Sequence, residues 1–507
     1  MNGLQLVGAL TTSSCAGAEA ISELPAAVSW LQLRADTAGD IPASWLRNHF
    51  HGKLLYSLRS LRCGGKFSGS CNERHSRLAA AAQEFDLIEL EADSDLSSKL
   101  LQHIPAERRA ILQCTPPCDA AQLRTTFEQL ASIPANTYCL ISASSKTSDG
   151  LQPLLFLKAL GRKDVVAFSE GLFGLWSRLL SPYFGAPFLI GRIGERNSTV
   201  DDLTVEQLLI DYGFPALGAL EKLYGIAGNP VLQSLSPRLH NAGYRAIRYP
   251  ALFVPFHVDC FEDFWHEMLE GSALQFLGIP IKGLTIVSPY KEVAVAAAGQ
   301  SSSMVRRAAS TNIFMRKNGV WKADTTDPES IALLSSKPGQ PLETIKAAVI
   351  GCGGAGRAVA AALKDAGAEV TLVNRGQDRG TRACRLLGLP FVSLSEFKAQ
   401  GFTLVVNATP IGRQNDGPPF EIDSLNSDAV IVDLAYGVNP TPLVSGILAR
   451  GGRAVDGHEV LLHQVRKQFM LMVGKEMPDV VGRKLTYANR SPNFLVNDAG
   501  MEVAAST

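Results

Sequence analysis

Over the first 220 residues, short apolar runs alternate with longer amphipathic ones. The apolar runs fall at residues 4–9, 28–33, 54–58, 87–91, 110–113, 138–142, 165–168 and 188–191, with helix-length segments such as 77–85, 120–131 and 174–180 between them. Eight such strands, each followed by a helix, predict a (β/α)8 barrel whose chemistry gathers at the C-terminal ends of its strands. The alternation returns after residue 330. Residues 347–379 read as strand, glycine turn, alanine-rich helix and second strand, and apolar strands follow at 391–394, 404–408, 430–434 and 452–455. That order predicts a doubly wound parallel sheet. A last amphipathic helix over 459–473 is expected to cross back onto the middle segment.

The glycine turn carries the first chemistry. Gly351, Gly353, Gly354 and Gly356, with Ala355 opening the helix, let the backbone turn sharply and approach a pyrophosphate at the helix N-terminus. Where an NAD-binding fold ends its second strand on an acid for the ribose hydroxyls, this chain has Asn374, Arg375 and then Arg379. Two guanidinium groups there suit a 2′-phosphate, which favours NADP over NAD. Asn407 and Thr409 end a later strand of the same sheet, and Gly457 opens the last helix; both places are expected to face the cofactor.

Composition narrows the partners. Lys plus Arg equals Asp plus Glu at 48 each, so no charge excess points to nucleic acid or an anionic membrane, and small molecules are the expected ligands. No run of eighteen apolar residues occurs, and the first basic residue is Arg34, so a cytoplasmic chain without secretory or transit signal is expected. The nine cysteines form no Cys-x-x-Cys pair and no cluster with histidine, which speaks against a disulfide framework or zinc and for a reducing compartment. At 507 residues the chain exceeds one ordinary core. The expected division is 1–220 for the barrel, 221–330 with 460–488 for a middle domain, 331–459 for the nucleotide fold and 489–507 for a disordered tail.

The middle domain opens Y-G-I-A-G-N-P-V-L-Q-S-L-S-P, where a strand stops at Gly228 and a helix follows near Pro237, capped by Ser236. Lys291 follows a strand in G-L-T-I-V-S-P-Y-K-E and is expected to open a helix, a poor place for a cation unless an acid such as Asp327 pairs with it. With A-A-S-T-N-I, K-A-D-T-T-D-P, the glycine turn and V-N-R, these words occur in order over residues 224 to 475 and closely resemble shikimate dehydrogenases. The resemblance implies an α/β substrate domain and an NADP-dependent interconversion of 3-dehydroshikimate and shikimate. It makes Lys291 and Asp327 the catalytic pair and gives the substrate to Ser234, Ser236, Thr285, Asn312, Tyr436 and Gln464. Departures from the family's words are Gln233, Thr285, Val287, Thr325 and Ser330. Val287 removes a hydroxyl from the substrate's surroundings, which loosens discrimination between related substrates.

The barrel segment resembles type I 3-dehydroquinate dehydratases in L-Q-L-R-A-D, in S-L-R-S before Gly64-Gly65, and in G-L-W-S-R. Arg34, Arg59, Glu91 and Arg178 are then remnants of its ligand site. That family forms an imine on a lysine of the sixth strand, helped by a histidine at the end of the fifth. Here the fifth strand leads to Thr115, the sixth begins Asn136-Thr137-Tyr138, Gln32 replaces a glutamate, and Asp201 or Asp202 stands near the family's glutamine. Lys146 is the nearest amine, past the strand in a polar loop. The expected protein is a shikimate dehydrogenase fused to a barrel without dehydratase chemistry. Its rivals are a fully bifunctional enzyme and a quinate or shikimate sensor.

Overall fold

The computed structural model describes residues 3–12, 16–194, 202–331, 342–413, 416–437, 440–479, 481, 482 and 485. The expected linker at Pro338 and Gly339, Asp201 and the 489–507 tail lie outside them. Two compact units divide the chain, 1–282 and 283–507.

The first unit begins with eight parallel strands: β1 (Gln5–Leu10), β2 (Val28–Arg34), β3 (Lys53–Ser57), β4 (Leu87–Glu91), β5 (Arg109–Thr115), β6 (Thr137–Ser142), β7 (Val165–Ser169) and β8 (Phe188–Arg192). Each pairs with the next from β1 to β7, and β8 returns beside β1, giving a nearly closed barrel with its seam between β7 and β8. The strands read as continuous apolar runs because both faces are covered. Val7, Trp30, Leu55, Leu87 and Ala110 form an apolar cluster with Phe188 and Ile190. Ile111, Tyr138, Leu140, Val165 and Ala167 pack outward on Leu123, Phe127, Phe156 and Leu157 of the surrounding helices. Helix Ala120–Leu130 starts at Asp119, whose carboxylate accepts from Gln122 N while the Gln122 side chain accepts from Asp119 N. The helix expected over 77–85 runs instead from Cys71 to Ala81, because Ser70 accepts from Glu73 N and starts it within a polar turn that apolar periodicity cannot register.

The same unit continues into β9 (Lys222–Gly228) and β10 (Ala251–His257), a parallel pair joined through helix Ser236–Ala246. The barrel is bonded to this pair. Trp176, fully buried, donates from Nε1 to the Thr147 carbonyl at 2.9 Å and packs its ring 5.5 Å from that of Phe256. Thr147 Oγ1 donates to the His257 carbonyl, and Arg238 and Asp211, both buried, pair at 2.5 Å. Ser236 does not cap its helix: Ser234 Oγ accepts from Ser236 N at 3.1 Å, since residue 235 already has helical dihedrals and the turn begins two residues earlier.

In the second unit β11 (Ile281–Ile286) pairs antiparallel with β13 (Ile313–Lys317) through Gly283 to Thr285, and β13 turns into β14 (Val320–Asp324). Asn318 and Gly319, at φ +51° and +80°, supply the left-handed pair that a two-residue hairpin needs. The short β12 (Gln300–Ser301) lies parallel to β14. The nucleotide fold follows: β15 (Lys346–Ile350), β16 (Glu369–Asn374), β17 (Phe391–Ser393), β18 (Leu404–Asn407), β19 (Val430–Asp433) and β20 (Arg453–Val455). All are parallel in the order β17-β16-β15-β18-β19-β20, so the strand order reverses between β15 and β18. Ligands of such sheets sit outside the C-terminal ends at that reversal. Helix Gly457–Val473, capped by Asp456, packs against both β13 and β19 and joins the two sheets of this unit.

Candidate active site and barrel cavity

Asp327 is the hub of the second unit's polar cluster. It lies three residues beyond β14 and is 1% exposed. Lys291 Nζ donates to both of its oxygens, at 2.8 and 2.9 Å. Asn312 Nδ2 reaches Oδ1 at 3.0 Å and Gln464 Nε2 reaches it at 3.2 Å from the last helix. Four of the expected residues are therefore brought together. Lys291 keeps 19% of its side chain exposed, so the ammonium is fixed yet reachable. It lies in a turn before the 3-10 helix Val293–Ala297, not at the start of an α-helix.

Below Asp327 runs a second layer that the sequence did not announce. Thr326 N donates to Asn312 Oδ1 at 2.8 Å, and Thr326 Oγ1 accepts from Asn312 Nδ2 and Gln468 Nε2, each at 3.0 Å. Thr285, expected on the substrate, donates instead to Gln468 Oε1 at 3.3 Å and is buried. Gln468 stands one helical turn after Gln464; that spacing, on an otherwise apolar face, was the available signal.

The glycine turn abuts this cluster. A Cβ at Gly354 would lie 2.3 Å from Ser310 Oγ and 2.9 Å from Lys291 Cβ, so only glycine lets the dinucleotide helix begin beside the lysine. Gly351 has φ +105°, and a Cβ at Gly356 would meet the Gly351 carbonyl at 1.8 Å, whereas around Gly353 there is nothing within 4 Å. A tight corner with one open side fits a pyrophosphate. Asn374 accepts from Cys352 N at 3.1 Å and holds the turn against β16. Burial pushes the Cys352 thiol up to about 11, so it serves as a small apolar filler. Arg375 and Arg379 are exposed at the end of β16.

The remaining expected residues of this half are held as follows. Asn407 is fully buried: its Nδ2 donates to Asp433 Oδ1 at 2.9 Å and to the Ile411 carbonyl, and its Oδ1 accepts from Thr409 N and Oγ1. It shapes the loop after β18. Asp433 also accepts from Ala435 N and Thr441 Oγ1, but burial outweighs these bonds and pushes its carboxyl up to about 6. Tyr436 is half-buried, 5.5 Å from the His458 ring, with the Arg413 guanidinium 5.4 Å from its own. Gly457 has the Ala435 carbonyl 2.2 Å from where a Cβ would stand, which lets the last helix start against that strand end.

The barrel encloses a cavity of about 430 Å³. Arg34, Arg59 and Arg178 line it, each already paired: Arg34 with Asp36 at 2.9 Å, Arg59 with Glu89 at 2.7 and 2.8 Å, Arg178 with Asp202 at 2.6 Å. Burial works against charge on Glu89, yet the facing Arg59 guanidinium overcomes it and holds the carboxyl below its usual range; Asp202, half exposed at the rim, is likewise held low by Arg178. Glu91 is not among the lining residues. Its carboxylate accepts from Ser60 N and Oγ, both at 2.7 Å, because it ends β4 beside the loop that follows β3, and Glu89 takes the inward place. Thr137 and Cys139 present the sixth strand to the cavity, and burial pushes the Cys139 thiol up to about 12. No lysine or histidine is among the lining residues described. Lys146 pairs with Glu267 at 2.5 Å on the exterior, away from the cavity.

Known proteins match two successive stretches of the chain. A family model described as type I 3-dehydroquinase matches residues 13–213, and one described as the shikimate dehydrogenase substrate binding domain matches residues 226–314. A shikimate dehydrogenase (NADP(+)) of Xylella fastidiosa strain M12 is 34% identical over 269 residues, half of this chain and 92% of the relative. The chain belongs to the shikimate dehydrogenase family. The chloroplastic bifunctional 3-dehydroquinate dehydratase/shikimate dehydrogenase of Arabidopsis thaliana is 24% identical over 462 residues, 84% of this chain and 73% of that protein. Among solved structures, the Thermus thermophilus enzyme in complex with NADP(H) and shikimate is 25% identical, covering 53% of this chain and 99% of that one, with a TM-score of 0.47.

Family membership covers the half of the chain that holds Lys291, Asp327, Asn312 and Gln464, and the fused first half is dehydroquinase-like. Sequence reading missed Thr326, Gln468 and Arg357 in this shikimate dehydrogenase half. Arg357, buried in the first turn of helix Gly354–Asp365, donates to the carbonyls of Ala308 and Ala309 and to Glu292. Among the described residues no helix is long and apolar enough to cross a membrane.

Proposed function

We propose that the chain interconverts 3-dehydroshikimate and shikimate with NADPH and NADP, using Lys291 as the proton donor and Asp327 to orient it. The observation that carries this is the two-pronged grip of Asp327 on Lys291 next to the Gly351–Gly356 corner. NADPH, when bound, supplies the hydride to the carbonyl carbon. Lys291 Nζ gives its proton to the carbonyl oxygen as charge gathers there, and Asp327, gripping Nζ through both oxygens, orients it for transfer. Asn312 and Gln464 hold Asp327 so that Nζ has one resting place. Arg375 and Arg379 are the ligands we assign to the 2′-phosphate, and Ser234 and Ser236 those for the substrate carboxylate, the latter on sequence motif alone. Small molecules are the partners, and the cytoplasm is the location we assign.

We assign no imine chemistry to the barrel. Its described lining keeps guanidiniums that could meet a carboxylate but has no amine to form the bond, and the Thr137 hydroxyl of the sixth strand cannot serve as base near neutral pH. The test is NADP reduction with shikimate and with quinate, run beside dehydroquinate turnover. Reduction with shikimate and no dehydration supports the assignment. Reduction with quinate alone would move the substrate, and absence of both activities would leave the sensor reading in its place.

A further inference from the structure

Glu292, the residue after Lys291, stands between two guanidinium groups. One carboxylate oxygen accepts from Arg357 Nη1 at 2.9 Å, and the other lies 3.4 Å from Arg379 Nη2. The two arginines differ in freedom. Arg357 is buried, and its other nitrogens are spent on the Ala308 and Ala309 carbonyls at 2.8 and 2.9 Å, so it is fixed and fixes Glu292. Arg379 is 55% exposed in the first turn of helix Gln377–Leu387 and can leave.

We infer that Glu292 is a specificity-determining residue: it competes with the 2′-phosphate of NADP for Arg379 and so lowers the enzyme's preference for NADP over NAD. This rests on the reading of Arg379 as a 2′-phosphate ligand. A phosphate monoester brings between about one and a half and two negative charges at neutral pH. To reach Arg379 it must approach a carboxylate that Arg357 prevents from swinging away, or draw Arg379 off that carboxylate. NAD carries only a hydroxyl at that position. It meets no such repulsion, and an acid within reach suits a ribose hydroxyl. The chain thus moves the acid of NAD-binding folds from the end of the second strand to the lysine's own turn, and couples the ribose end of the cofactor site to the residue beside Lys291.

The experiment is a double-mutant cycle on the full chain, reading KM for NADP and for NAD with shikimate saturating. Glu292→Gln keeps a hydrogen bond to Arg357 and removes the charge; the ratio KM(NAD)/KM(NADP) should rise by about threefold to tenfold, the scale of one partly screened charge at this range. Glu292→Ala, the second variant, should shift the ratio in the same direction. In an Arg379→Ala background, Glu292→Gln should leave the ratio unchanged, because nothing remains to compete for. A ratio that stays put or falls in both Glu292 variants would overturn the proposal and leave Glu292 as a clamp on Arg357. If Arg379→Ala alone does not raise KM for NADP, the phosphate assignment fails first and the proposal with it.

Discussion

Lys291→Met retains the side chain's apolar stem and deletes one nitrogen, which makes it a clean probe of the proposed proton donor. In the native site that nitrogen supplies two of the four hydrogen bonds described on the Asp327 carboxylate, both at under 3 Å. Its loss should lower kcat by about two to four orders of magnitude, some 3–5 kcal/mol, with KM for shikimate within a few-fold, since the bond to the substrate oxygen strengthens only as charge develops. It also leaves a 1%-exposed carboxylate on Asn312 and Gln464 alone. Breaking a buried pair costs about 3–5 kcal/mol; two surviving donors put the loss near the low end, or roughly 6–12 °C in the melting of a unit this size. The two effects separate in Lys291→Met/Asp327→Asn, which has no unpaired charge: most of the stability should return while turnover stays low. Stopped-flow NADP reduction and differential scanning calorimetry on the same preparations read both quantities. If turnover recovers together with stability, Lys291 is a structural partner of Asp327 and the proton comes from elsewhere.

Trp176→Ala removes a fully buried indole and orphans the Thr147 carbonyl, so residues 1–282 should lose about 4–6 kcal/mol and still melt in one transition; separate transitions for the barrel and for β9–β10 would show they are independent. Asp433, raised to about 6 by burial, favours the folded state while neutral. Its contribution is therefore full below the unfolded pKa near 4 and lost as pH rises through 6, an amount of roughly 3 kcal/mol; the difference in unfolding free energy between wild type and Asp433→Asn should change over that window and be flat above it. Borohydride added with 3-dehydroquinate to the full chain should give no mass adduct, and an adduct on any lysine would restore dehydratase chemistry to the barrel.

Much of the architecture was legible because it depends on local regularities. Strands of the barrel and of the nucleotide sheet read as apolar runs since both faces are covered, and the glycine corner is a run of neighbours in sequence. Lys291 and Asp327 were legible as a pair mainly through motif words that occur in order. What stayed hidden was decided by distant partners. Thr285 looks free for a substrate until Gln468 arrives from the last helix, Glu91 looks like a cavity ligand until Ser60 takes it, and Lys146 looks like a candidate amine until Glu267 claims it on the outer surface. Helix starts were misread wherever the first turn was polar, as at Ser70, or wherever the turn began early, as at Ser234.

The bonds from Trp176 and Thr147 to β10 bear on how such a fusion can age. A fused domain is ordinarily free to be deleted, but here truncation near residue 220 would strip Phe256 and the His257 carbonyl of the partners that cover them. The flank of the barrel is thus masonry for its neighbour, a duty independent of what the cavity turns over. Minimal versions of this dehydrogenase would have to be cut with a rebuilt β10 face, not excised at the apparent seam.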